Sequence, residues 1–211
     1  MNRIPFPEMK YPLVAILRGL KPEETPAALD ALLNAGFRAI EIPLNSPEPF
    51  KSIEIAAKMA PADALIGAGT VLTATQAEAA VEAGARLLLA PNFDPATVAR
   101  AKALGVEVMP GVATASEAFA ALAAGANALK LFPARELGAG TLAAWSAVLP
   151  AGTAIYAVGG VDESGFAPFV KAGVAGFGLG SSLYRPGDDA ATVAARGARA
   201  VAAWRDGESG Q

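Results

Sequence analysis

Of the seven lysines in the chain, Lys130 is the one set within a short apolar run, Ala128-Leu129-Lys130-Leu131-Phe132. Burying an ammonium group is costly and lowers its pKa by up to about 5 units. A neutral amine is a nucleophile toward carbonyl carbon. A lysine in such a run is equally a structural group paired with a core carboxylate. Glu41 sits in a matching run, Ala39-Ile40-Glu41-Ile42-Pro43. It is a structural partner for Lys130, or a general acid/base with a raised pKa. The two readings overlap, because imine chemistry requires an amine and a proton carrier side by side. The chain has no histidine and no cysteine. That excludes thiol chemistry, disulfides and a Ser-His-Asp triad, and removes the usual ligands of zinc. A magnesium site built from carboxylates stays open, and a glutamate is the natural proton shuttle.

The elements that must position these residues are legible as a repeat. A helical stretch ends in a small residue and a glycine, and a short apolar run follows: NAGFRAIEIPL at 34–44, EAGARLLLAPN at 82–92, AAGANALKLFP at 123–133, PAGTAIYAVGG at 150–160 and KAGVAGFGLGS at 171–181. Glycine after a helix is a C-cap signal. The pattern predicts eight strands centred near Ile16, Glu41, Gly67, Leu88, Val108, Lys130, Tyr156 and Gly178. Helices are expected over 22–35, 48–60, 73–83, 94–104, 115–124, 138–148, 163–172 and 188–204. Alternation at this period means parallel pairing, and eight units mean a closed, compact (β/α)8 TIM barrel of the α/β class. An open doubly wound sheet is the alternative, but no GxGxxG opens the first unit. The 211 residues read as one domain, with 205–211 a frayed polar tail.

In a barrel, chemistry sits at the C-terminal ends of the strands. Arg18 ends the first strand and is placed to bind a carboxylate by a bidentate pair, whereas Arg38 and Arg86 begin strands. Glu107 stands at a strand start, where barrels place stability. Strands seven and eight end in Val158-Gly159-Gly160 and Leu179-Gly180-Ser181-Ser182. Loops at these places form the common barrel phosphate site, so Gly159, Gly160 and Ser181 are candidates for it, with tight turns the plain alternative. Thr70, after Gly67-Ala68-Gly69, is a substrate hydroxyl donor or a helix cap. Asn45, Ser46, Pro91 and Asn92 are rim residues without an assigned role.

The chain resembles the bacterial 2-keto-3-deoxy-6-phosphogluconate aldolase family over residues 12–204. The resemblance rests on EIPLNSP at 41–47, IGAGTVL at 66–72, LKLFPA at 129–134, AVGGV at 157–161 and GLGSSLYR at 178–185. Within the family it looks more like the galactonate branch. Asn45 stands where the gluconate branch carries an arginine, and Ile16–Gly19 has the LRG of the galactonate branch. The resemblance implies a class I aldolase that reversibly cleaves a 2-dehydro-3-deoxy-6-phospho sugar acid to pyruvate and D-glyceraldehyde 3-phosphate. It implies Lys130 as the Schiff-base lysine, Glu41 as acid/base, and Gly159, Gly160 and Ser181 as the phosphate site. Thr70 is implied at the carboxylate side, and Arg18 in place of the missing arginine. A metal-free, cofactor-free homotrimer is likewise implied. The same reaction on the gluconate epimer, a phosphate-binding barrel isomerase or synthase without an imine, and a degenerate barrel used for binding are the competing readings.

With a formal net charge of -3 and 18% charged residues, nothing predicts a nucleic acid or membrane partner. The apolar run Leu13 to Leu17 is too short for a signal peptide or a transmembrane span, so a cytoplasmic location is expected. An anionic substrate requires a local positive site that the overall charge conceals.

Overall fold

Helix ends and strand starts are coupled by local backbone chemistry. Gly36 closes the first helix at φ +105°, with backbone N–H bonds back to the Leu32 and Leu33 carbonyls. Such a left-handed cap turns the chain straight into the next strand. Three later helices are capped at their N-termini by Thr73, Asp94 and Thr114, whose side chains accept the Gln76, Thr97 and Glu117 N–H groups.

The computed structural model describes Phe6 and residues 9–209. In chain order the elements are β1 (Leu13–Ile16), α1 (Thr25–Ala35), β2 (Ala39–Pro43), α2 (Pro49–Met59), β3 (Leu65–Gly69), α3 (Ala74–Glu82), β4 (Leu87–Leu89) and α4 (Pro95–Ala103). There follow β5 (Glu107–Met109), β6 (Gly111–Val112), α5 (Ala115–Ala123), β7 (Leu129–Leu131), α6 (Ala134–Ser146), β8 (Ile155–Val158), α7 (Phe166–Lys171), β9 (Gly176–Leu179) and α8 (Ala190–Ser209).

All strand pairs are parallel, in the order β5-β4-β3-β2-β1-β9-β8-β7-β6. The two ends of that order, β5 and β6, are consecutive in the chain and separated only by Pro110. The expected fifth strand is thus split: proline has no N–H to give to a ladder. β5 pairs with β4, and β6 pairs with β7. The Asn127 and Lys130 N–H groups reach the Val108 and Pro110 carbonyls, so the sheet closes on itself as a barrel.

Side-chain alternation separates two cores. Val14, Ile16, Ala39, Leu65, Leu87, Leu89, Met109, Ala128, Tyr156 and Val158 fill the barrel, joined by Phe6, whose ring stacks on Tyr156 at 5.2 Å. Intervening residues such as Ala15, Ile40, Ile42, Leu129 and Leu131 pack outward against the helices. On the outer face, the Phe166 and Phe177 rings stack at 3.8 Å, with Trp204 edge-on to Phe177.

Several boundaries differ from the sequence expectation, α1 starting at Thr25 instead of 22 among them. α6 starts at Ala134 instead of 138, and Gly138 (φ +77°, ψ +163°) marks a kink between two helical pieces. The first turn expected of the helix at 163–172 is a 3-10 turn, Glu163–Gly165, because Asp162 accepts from Ser164 N–H. The tail expected to fray from 205 instead continues α8 to Ser209, with Gly207 lying close against Val170; residues 210–211 fall outside the described residues.

Candidate active site

Lys130 and Glu41 both point into the barrel. Their sequence neighbours Leu129, Leu131, Ile40 and Ile42 belong to the outer core, and alternation sends the residues between them inward. Lys130 is 6% exposed and Glu41 2%. The Glu41 carboxyl lies over the backbone of Gly69, where even a methyl group would overlap it. Its Oε2 is buried without a hydrogen-bond partner among the described residues.

Burial raises the Glu41 pKa, and the positive charges of Lys130 and Arg18 pull it partly back. Burial holds the Lys130 ammonium below the usual lysine range, the Glu41 charge opposes that, and Arg18 adds to it. These mutual influences place the three charges within electrostatic reach of one another. Lys130 Nζ lies 4.9 Å from the centre of the Phe132 ring. An amine whose pKa is lowered, within reach of the charge of a buried carboxyl whose pKa is raised, can add to a carbonyl and move the protons that the addition displaces.

A cavity of about 570 Å³ opens over Lys130 at the C-terminal mouth of the barrel. On one side are Arg18 and Asn45, joined by an Arg18 Nη1–Asn45 Oδ1 hydrogen bond of 2.6 Å. The buried Ser46 hydroxyl accepts the Gly19 N–H at 2.9 Å, fixing the loop that carries Arg18. These contacts give the rim residues Asn45 and Ser46 a positioning job. Thr70 is not a wall of this cavity. It follows Gly69 with φ +56°, an uncommon conformation for a residue with a side chain. It does not cap α3, since Thr73 does.

On the opposite side lie Gly159, Gly160, Gly180 and Ser181. Gly160 has φ +73°, so a side chain there would be strained. β8 and β9 are hydrogen-bonded neighbours, which brings the two glycine-bearing loops together. The structure therefore gathers Lys130, Arg18, Gly159, Gly160 and Ser181 around one cavity, with Glu41 buried in the barrel interior and Thr70 beside it through Gly69.

Sequence reasoning missed Arg135 and Arg185, which also line the cavity. Arg135 N–H donates to the Gly159 carbonyl, and Arg185 Nε donates to the Ser181 carbonyl at 3.0 Å. The signal was a cation just past a strand end: Arg135 directly follows LKLFPA, and Arg185 closes GLGSSLYR. Arg38 lies before β2, bonded to Asp63 and the Leu33 carbonyl, as its place before a strand implied. Among the described residues no three His, Cys, Asp or Glu side chains cluster so as to hold a metal, and no helix is long and apolar enough to cross a membrane.

A closed parallel barrel with a buried amine–carboxyl pair beneath a cation-lined mouth defines a barrel enzyme suited to carbonyl chemistry. The family model "Aldolase: KDPG and KHG aldolase" matches residues 8–193. The probable 2-dehydro-3-deoxy-6-phosphogalactonate aldolase of Rhizobium meliloti (strain 1021) is 55% identical over 97% of this chain and 96% of its own. A solved structure of native KDPGal superposes with a TM-score of 0.94 at 46% identity, over 96% of this chain and 98% of that one. The KDPG aldolase of Legionella pneumophila, captured with pyruvate as a covalent carbinolamine, superposes at 0.78 with 27% identity over 93% of each chain. The chain belongs to the KDPG and KHG aldolase family and is a carbon–carbon lyase.

Proposed function

We propose that this protein is a class I aldolase that reversibly cleaves 2-dehydro-3-deoxy-6-phospho-D-galactonate to pyruvate and D-glyceraldehyde 3-phosphate, through an imine on Lys130. The observation that carries this reading is the buried Lys130, its pKa lowered, within reach of the Glu41 charge and open to the mouth cavity. The Lys130 amine adds to the C2 carbonyl, and the Glu41 carboxyl protonates the carbinolamine hydroxyl, which leaves as water. The Glu41 carboxylate then takes the proton of the C4 hydroxyl as the C3–C4 bond breaks. The aldehyde departs, and the bonding pair remains on the pyruvate fragment as an enamine. Returning that proton to C3 and hydrolysing the imine releases pyruvate and restores both groups. Electrostatic support comes from Arg18 on the carboxylate side, with Gly159, Gly160 and Ser181 receiving the phosphate; Thr70, outside the cavity wall, joins the carboxylate side on the family resemblance alone.

The galactonate epimer is favoured over the gluconate epimer by Asn45, which bonds Arg18 where the gluconate branch carries its own arginine. A single-domain homotrimer located in the cytoplasm completes the proposal; the trimer rests on the family resemblance. Steady-state assays with the two purified epimers test the substrate. A higher kcat/KM for the galactonate compound is expected. A clear preference for the gluconate epimer, or turnover of neither, would overturn the assignment.

A further inference from the structure

The mouth cavity holds more positive charge than the roles above employ. Arg18, Arg135 and Arg185 line it with one carboxylate, Asp162, in a chain of formal net charge -3. Two of these cations are engaged: Arg18 with Asn45, and Arg185 with the Ser181 carbonyl. The Arg135 guanidinium takes part in no ion pair among the described residues. Its charge does reach Asp162, whose carboxylate already accepts from Ser164 N–H and Oγ.

The stem of Arg135 lies across Gly160, where an added Cβ would sit 2.8 Å from Arg135 Cβ and 2.9 Å from Cδ. Gly160 therefore leaves room for the Arg135 stem as well as for close approach to the backbone. Backbone amides offer dipoles but no net charge. A phosphate monoester carries roughly -1.5 to -2 at neutral pH, so a cradle of glycine amides alone leaves most of that charge unmatched. An unengaged guanidinium at the rim of the cradle supplies what is missing, in a bidentate geometry suited to phosphate oxygens.

We propose that Arg135 is a phosphate-binding residue of this site, pairing with the substrate phosphate and setting the preference for phosphorylated over unphosphorylated aldehydes. The proposal rests on the reading of the Gly159–Gly160 and Gly180–Ser181 loops as the phosphate cradle. Arg135 is exposed in the first turn of α6, so its replacement leaves the core untouched. The test runs the aldol reaction with pyruvate and either D-glyceraldehyde 3-phosphate or D-glyceraldehyde, using the full chain and its Arg135→Ala and Arg135→Lys variants. Arg135→Ala is expected to raise KM for D-glyceraldehyde 3-phosphate about ten- to a hundredfold, the effect of losing a charge-assisted bond. KM for D-glyceraldehyde should not change, and Arg135→Lys should recover part of the loss. Equal rises for both aldehydes, or none for the phosphorylated one, would overturn the proposal. Borohydride trapping of pyruvate separates the two levels. Trapping retained with an unaltered KM refutes Arg135 alone, whereas a wild-type chain that traps no pyruvate refutes the aldolase reading beneath it.

Discussion

Arg18 and Glu41 act on Lys130 with opposite sign, and this makes the site testable one side chain at a time. The Glu41 charge favours the Lys130 ammonium, and the Arg18 charge disfavours it. Imine formation needs the neutral amine, so its rate rises as pH passes the Lys130 pKa. Glu41→Gln removes a charge that raises this pKa and is expected to move the rise to lower pH. Arg18→Gln removes a charge that lowers it and is expected to move the rise to higher pH. Rates of borohydride-dependent pyruvate incorporation, measured across pH in the wild type and both variants, give the comparison. Shifts of the same sign, or none, would contradict the electrostatic account. Glu41→Gln should also slow overall turnover by roughly 10²–10⁴, the usual cost of losing a positioned acid/base.

At the scale of elements, the fit between β2 and β3 places the Glu41 carboxyl. Gly69 stands in an ordinary strand conformation, so Gly69→Ala introduces no backbone strain, yet its methyl group needs the space the carboxyl occupies. The variant is expected to fold, with the carboxyl displaced and turnover reduced by about 10²-fold, the cost of a misplacement near 1 Å. Wild-type turnover in a folded Gly69→Ala protein would show that the position of Glu41 is unimportant. The loop after β9 allows a similar test. An added Cβ at Gly180 meets nothing within 4 Å, and Gly180 lines the cavity. Gly180→Ala should raise KM for the phosphorylated substrate without changing thermal stability or pyruvate trapping. It is a cleaner probe than a substitution at Gly160, where positive φ and the Arg135 stem add strain. Unaltered KM would place the phosphate elsewhere.

Much of this arrangement was legible in the sequence. The barrel followed from the recurrent glycine cap and apolar run, since helix ending and strand burial are local matters of backbone and hydrophobicity. Lys130 and Glu41 stood out because an ionisable group in an apolar strand has few uses. Other features depend on contacts between distant segments. The split at Pro110 arises from pairing with different neighbours on its two sides. Arg135 and Arg185 lie in segments without periodicity, so only the closed barrel reveals that they share a cavity with Gly159 and Ser181.

For the molecule as a whole, the distribution of charge matters more than its total. A chain of formal net charge -3 gathers three arginines at the mouth where an anionic substrate would enter. The proposed mechanism assigns every proton transfer to Lys130 and Glu41, so EDTA is expected to leave turnover unaltered. Activity lost to the chelator and restored by a divalent ion would replace imine chemistry with metal-assisted enolisation. Imine chemistry requires a covalent bond between Lys130 and pyruvate. Borohydride reduction of the protein with labelled pyruvate, followed by peptide mapping, reads out that bond. A reduced pyruvyl adduct is expected on the peptide carrying Lys130, and none after Lys130→Met substitution. Label on the peptides carrying Lys102 or Lys171, or no label at all, would contradict it.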